Sequence, residues 1–171
     1  TALVAIDGPS GAGKSTLADA LHAARSGASI VRVDDFYRPM DRGARVKLGP
    51  AEGYEQYFDW RRLRDDVLVP LSRGAVGRYR RYDWSNDRLE EWHHVDPGEV
   101  VIVEGVYSTR PELWDFYSLT VFLETPRDER VRRILARDDD VAWVERWMAA
   151  EEWYVLHIHP AERADLIISN P

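Results

Sequence analysis

The sequence predicts an α/β fold: a parallel sheet of about five strands flanked by helices, with a small β-hairpin insertion and a helical lid. Three observations carry that prediction. Short apolar or β-branched runs alternate with stretches of helical periodicity. The first run, Leu3-Val4-Ala5-Ile6, feeds into Gly8-x-x-x-x-Gly13-Lys14-Ser15 and then into apolar positions at helical spacing, Leu17, Ala20, Leu21 and Ala24. A second run, Val100-Val101-Ile102-Val103, ends in Glu104, the pattern of a strand buried on both faces that delivers an acid to the sheet edge.

The glycine segment reads as a phosphate-binding loop. A triphosphate is wrapped by backbone N–H groups, so Gly8, Gly11 and Gly13 let the chain take angles that a side chain forbids, and Ser10 and Ala12 complete the cradle. The loop opens a helix, whose unpaired N–H groups and positive dipole end face the phosphates. Lys14 can reach the β- and γ-phosphates, the Ser15 hydroxyl can ligate a bridging Mg²⁺, and Thr16 contacts the α-phosphate or caps the helix. ATP and Mg²⁺ are therefore the expected cofactors.

Composition narrows the setting. A chain of 171 residues, 44% apolar and 31% charged, suits one domain spanning 1–171 with one substantial core. No apolar run is long enough to cross a bilayer and residues 1–30 lack a signal-peptide pattern, so a cytoplasmic protein without a membrane partner is expected. The absence of cysteine excludes disulfides, thiolate metal sites and cysteine nucleophiles. A net charge of −7 argues against nucleic acid as a partner. The expected partners are ATP and a small-molecule acceptor, with self-association left open.

Beyond the first helix, Ser29 to Val33 reads as a strand ending in Asp34-Asp35-Phe36-Tyr37. Ligands of open parallel sheets bind beyond the carboxyl ends of the strands, so acids placed here face the phosphates. Residues 38–57, with Arg38, Arg42, Arg45, three glycines and two prolines, read as a long loop over the acceptor. Phe58 to Leu71 shows helical periodicity, closing at Arg73-Gly74. Residues 77–95 hold two alternating stretches around Ser85-Asn86-Asp87, a hairpin whose aromatic side chains could stack on a ring.

Glu104 resembles the acid that holds Mg²⁺ or its water in phosphate-loop proteins. After a short helix or loop over 106–117, Leu119 to Glu124 reads as another strand. Pro126 then opens a basic helix in which Arg130, Arg133 and Arg137 share one face, forming with Asp138-Asp139-Asp140 a lid region over 127–140. A helix from Val141 to His159 and a strand from Ala164 to Ser169 complete the chain. The histidine pairs lack the spacing of a helical metal site and read as structural.

Taken in order, Gly8 to Thr16, Asp34-Asp35-Phe36-Tyr37, Tyr82-Asp83-Trp84, Glu104-Gly105, Arg130 to Asp138 and Ala164 to Ile168 resemble the uridine kinase family over nearly the whole chain. The resemblance implies an ATP- and Mg²⁺-dependent kinase that phosphorylates a hydroxyl of a nucleoside or another small polar metabolite. It implies that Asp34, first of the two acids, is the catalytic carboxylate and adjoins the metal with Ser15 and Glu104. It places Tyr37 and Tyr82 against the acceptor, Arg130 and Arg133 on acceptor and phosphates, and Arg137 on the nucleotide. Asp87 stands where the family reads the base with histidine, and Ala51-Glu52-Gly53-Tyr54 replaces the ribose-gripping Asn-Phe-Asp, with Glu52 the candidate substitute. Two other readings stay open. A nucleoside monophosphate kinase would use Arg38, Arg42 and Arg45 on an acceptor phosphate, and a nucleotide-dependent switch would need no acceptor.

Overall fold

The computed structural model describes residues 1–136 and 141–171. In chain order the elements are β1 (Ala2–Asp7), α1 (Lys14–Ala24), β2 (Ala28–Arg32), a 3₁₀ turn (Val33–Phe36), α2 (Arg42–Arg45), α3 (Pro50–Gln56) and α4 (Trp60–Arg62). A π-helical stretch (Leu63–Leu68) leads into α5 (Val69–Ser72), followed by β3 (Gly77–Asp83), β4 (Arg88–Val95), β5 (Val100–Glu104) and a 3₁₀ segment (Pro111–Phe116). β6 (Leu119–Glu124), α6 (Arg127–Leu135), α7 (Val141–Ile158), α8 (Pro160–Arg163) and β7 (Leu166–Ser169) complete the chain.

The main sheet is parallel in the order β2-β5-β1-β6-β7. β1 is therefore central, which explains its continuous apolar character: Leu3, Ala5 and Ile6 are sealed between layers. One face packs on α1 through Ile6, Ala18, Ile102 and Leu123. The other carries a larger, aromatic-rich core that includes Phe36, Tyr37, Tyr54, Phe58, Leu68 and Tyr154. The expected hairpin forms as β3 and β4, with a bulge between Arg80 and Tyr82.

Two expectations are corrected. Residues 38–57 do not form one long loop but contain α2 and α3. Asp41 caps α2 by accepting the Ala44 N–H at 2.9 Å, and Pro50 starts α3 where its missing N–H costs nothing. These helices are too short for periodicity to reveal, and caps alone mark them. The helix expected over Phe58 to Leu71 starts at Trp60, because Phe58 bridges to Tyr37 and Asp59 caps the turn. Its middle is widened, Val69 N–H bonding to the Arg64 carbonyl, just before Pro70, which cannot donate to a regular ladder.

Candidate active site

Parallel register gathers the site. Ile6 pairs with Glu104, and Glu104 with Arg32, so the glycine loop, the acid of β5 and the turn after β2 leave the same sheet edge at the same level. Across that edge Ser15 Oγ lies 3.2 and 3.3 Å from the two Glu104 carboxylate oxygens. Arg32 holds Glu104 from the side with an ion pair of 2.6 Å and reaches Asp19 at 2.7 Å.

The loop itself is shaped by what cannot fit. Gly8 has φ 141°, and a Cβ there would lie 2.6 Å from the Leu123 carbonyl oxygen. Gly13 has φ 98°, and its Cβ would meet Asn170 Nδ2 at 2.7 Å. Lys14 is buried and donates to the Pro9 carbonyl at 3.1 Å, folding its ammonium across the loop.

The two neighbouring acids part company. Asp35 is buried, accepting from Tyr79 Oη at 2.9 Å and pairing with Arg81 at 2.8 Å, so the hairpin grips it from β3. Asp34, on the same 3₁₀ turn, faces the cleft instead. Its own surface is open to cleft solvent, yet protein surrounds it closely. That enclosure pushes its carboxyl up to about 6, with the negative charge of Glu104 adding and Lys14 opposing.

Asp34 lies on the wall of two adjoining cavities. One, of about 670 Å³, follows the loop past Lys14, Ser15 and Thr16 and includes Glu104 and Arg133. The other, of about 340 Å³, is walled by Tyr57, Phe58, Trp84 and Trp147, with Ser10 and Glu151 beside Asp34. A larger cavity, of about 690 Å³, contains none of Lys14, Ser15, Asp34 or Glu104, so size is no guide to the chemistry here.

The remaining expected residues divide. Arg133 joins the phosphate cleft and donates to the Gly11 carbonyl at 3.2 Å while pairing with Glu129 at 2.6 Å. Arg130 is buried and lines the larger cavity instead, donating to the Thr125 carbonyl at 3.3 Å. Burial holds its guanidinium below its usual range, Glu151 opposing. Tyr37, Tyr82 and Asp87 meet in a neighbouring recess with Arg45, which pairs with Asp87 at 2.9 Å. Trp84 is shared between that recess and the Asp34 cavity, and stacks on Tyr37 with ring centres 4.6 Å apart. Glu52 is exposed on α3 and lines none of these cavities. Arg137 and Asp138 to Asp140 lie outside the described residues.

Asp7 and Glu151 are organising residues that pattern reading passes over. Asp7 is fully buried at the loop's start and accepts from Gly8 N, Tyr107 N, Thr109 N, Thr109 Oγ1 and Tyr154 Oη. Glu151, on α7, takes the Ser10 N–H at 2.8 Å and its hydroxyl at 2.5 Å. An acid ahead of the first glycine was the available signal for Asp7. Glu151 had none, since its partner is 141 residues away.

Comparison with known proteins bears on the family and the fold. A family model described as an AAA domain matches residues 4–153. Uridine kinase from Mycoplasma genitalium is 30% identical over 80% of this chain and 66% of its own length. Uridine kinase from Staphylococcus epidermidis is 30% identical over 81% of this chain and 69% of its own. The chain thus spans about two thirds of the length of these curated relatives. A possible uridine kinase from Bacillus stearothermophilus shares the fold with a TM-score of 0.75, at 22% identity over 98% of this chain and 88% of that one.

Proposed function

This chain belongs to the AAA domain family and to the uridine kinase family of ATP-dependent kinases, and from that premise we propose that it phosphorylates a hydroxyl of a nucleoside or another small polar metabolite. The observation that carries this reading is the place of Asp34, on the wall between the phosphate-loop cleft and the aromatic cavity. A hydroxyl entering from the aromatic side meets a carboxylate that also borders the γ-phosphate position.

The roles follow from chemistry. The loop amides and Lys14 hold the triphosphate, and the raised proton affinity of Asp34 suits it to orient the acceptor hydroxyl and take its proton. Arg133, already at the Gly11 carbonyl, is within reach of charge that develops on the transferring group. Arg130 reaches acceptor or phosphates only if α6 shifts, since it faces the other cavity here. Ser15 Oγ with the Glu104 and Asp34 carboxylates makes a set of hard oxygen donors that fits Mg²⁺. When bound, the ion would neutralise phosphate charge.

Arg42 and Arg146 beside the Trp84 recess favour a second reading, a nucleoside monophosphate kinase, although Arg45 is engaged by Asp87. ADP release from MgATP tests both, across nucleosides, nucleoside monophosphates, pantothenate and sugars, beside Lys14→Ala. Stimulation lost in Lys14→Ala supports the kinase, and monophosphates acting alone would select the second reading. Nucleotide binding without stimulation by any acceptor would replace both with a nucleotide-dependent switch.

A further inference from the structure

The aromatic cavity beside Asp34 has a chemical bias that a general hydroxyl acceptor does not explain. Among the described residues its wall holds two carboxylates, Asp34 and Glu151, and no basic side chain. Tyr57, Phe58, Trp84, Tyr107 and Trp147 line it beside them, Trp84 and Trp147 meeting nearly at right angles with centres 5.6 Å apart. Perpendicular aromatic rings above an acid form a cage in which ring quadrupoles and carboxylate attract the same thing, a cation.

Glu151 has the capacity for such a ligand. It is only 3% exposed, yet it borders the cavity. Each carboxylate oxygen takes one bond from Ser10, which leaves a lone pair on each. Ser10 supplies neutral donors only, and among the described residues no basic side chain pairs directly with Glu151. Burial pushes the Glu151 carboxyl up, with Lys14, the Ser10 hydrogen bonds and Arg130 opposing. Lys14, however, is turned to the Pro9 carbonyl and the phosphate cleft, and Arg130 to the Thr125 carbonyl.

We propose that the acceptor is a hydroxylated amine, its ammonium seated between Glu151 and the faces of Trp84 and Trp147 while its hydroxyl meets Asp34. A neutral acceptor could donate to Glu151 and pack on the aromatic side chains but would bring no positive charge to meet the two acids. The proposal rests on the kinase reading for the role of the hydroxyl and on the cavity alone for the amine.

The test uses matched pairs that differ in charge: choline and 3,3-dimethyl-1-butanol, glucosamine and glucose, 3′-amino-3′-deoxyuridine and uridine. Binding is read by tryptophan fluorescence with a non-hydrolysable ATP analogue present, and turnover by ADP release with MgATP. The expected result is that, in at least one pair, the amine binds about tenfold more tightly than its neutral partner. Glu151→Gln should erase that preference, and Trp147→Leu should reduce it. Equal or weaker binding of the amine in every pair, or no binding by any compound, overturns the inference. Turnover of neutral members alone also overturns it while keeping the kinase. Tight amine binding without turnover of any acceptor keeps the seat of the ammonium and overturns the kinase reading together with the hydroxyl's role at Asp34.

Discussion

Replacing Asp7 with asparagine puts the architecture of the site under direct load. Oδ2 of Asp7 accepts from Thr109 N at 2.9 Å, Thr109 Oγ1 at 2.6 Å and Tyr154 Oη at 2.7 Å, and Oδ1 from Gly8 N at 2.6 Å and Tyr107 N at 3.1 Å. An amide can place its oxygen at only one of these positions. With the oxygen kept at Oδ2, the NH₂ group faces two backbone N–H donors that have no other acceptor nearby. Two orphaned buried donors cost about 1–3 kcal/mol each, and relief from burying a charge offsets part of that, leaving roughly 3 kcal/mol. For a domain of this size, that lowers Tm by roughly 6–12 °C. Thermal unfolding followed by circular dichroism, with urea melts as a check on cooperativity, reads the effect. A Tm within about 2 °C of the wild type would refute the assignment of these bonds as the anchor of the loop.

Four further outcomes follow from the geometry. Asp34→Asn should lower kcat by about 10²–10⁴-fold while leaving nucleotide affinity nearly unchanged, measured by ADP release and by binding of a fluorescent ATP analogue. The wild-type enzyme should lose kcat/KM as pH falls through about 6, where Asp34 becomes protonated, and Asp34→Asn should show no such limb. Because folding raises the Asp34 pKa above its unfolded value, the ionised side chain disfavours the folded state once pH exceeds that folded value. Asp34→Asn should therefore melt higher than wild type at pH 7.5, and the gap should close as pH drops from about 6 toward 4. Gly13→Ala should abolish nucleotide binding in an equilibrium titration, since its Cβ would have to displace Asn170 at a backbone angle that alanine resists.

Much of the fold was legible because long elements write their period into the sequence. β1, β5 and β6, and the extents of α1 and α7, follow from apolar runs and helical spacing, and the glycine loop from residue types that few other structures need. What escaped was set by contacts distant in sequence. Nothing local distinguishes the roles of Asp34 and Asp35. Tyr79 and Arg81, on a hairpin more than 40 residues away, bind one and leave the other facing the cleft. The aromatic residues that wall the cavity beside Asp34 are Tyr57, Phe58, Trp84, Tyr107 and Trp147, drawn from four separate segments, and Tyr37 and Tyr82 line the recess next to it. Glu52 stands exposed on α3, because the segment carrying it folds as a helix rather than as the loop that was expected.

The acids around the loop can be ordered by what answers their charge, and that order separates structure from chemistry. Asp7 is met by backbone and hydroxyl donors, Asp35 by Tyr79 and Arg81, Glu104 by Arg32 and Ser15, and Glu151 by Ser10. Each of these interactions fixes a segment: the start of the loop, the turn after β2, the end of β5 and the approach of α7. Asp34 is different, since among the described residues no hydrogen bond or ion pair reaches its carboxylate. An acid that faces the cleft, pushed toward protonation by the protein around it and left without a partner, costs stability, and such a cost persists where the group must remain available to something that binds. Because the neighbours of Asp34 are held so firmly, an entering hydroxyl finds its carboxylate already placed and needs no rearrangement of the loop or the hairpin to reach it.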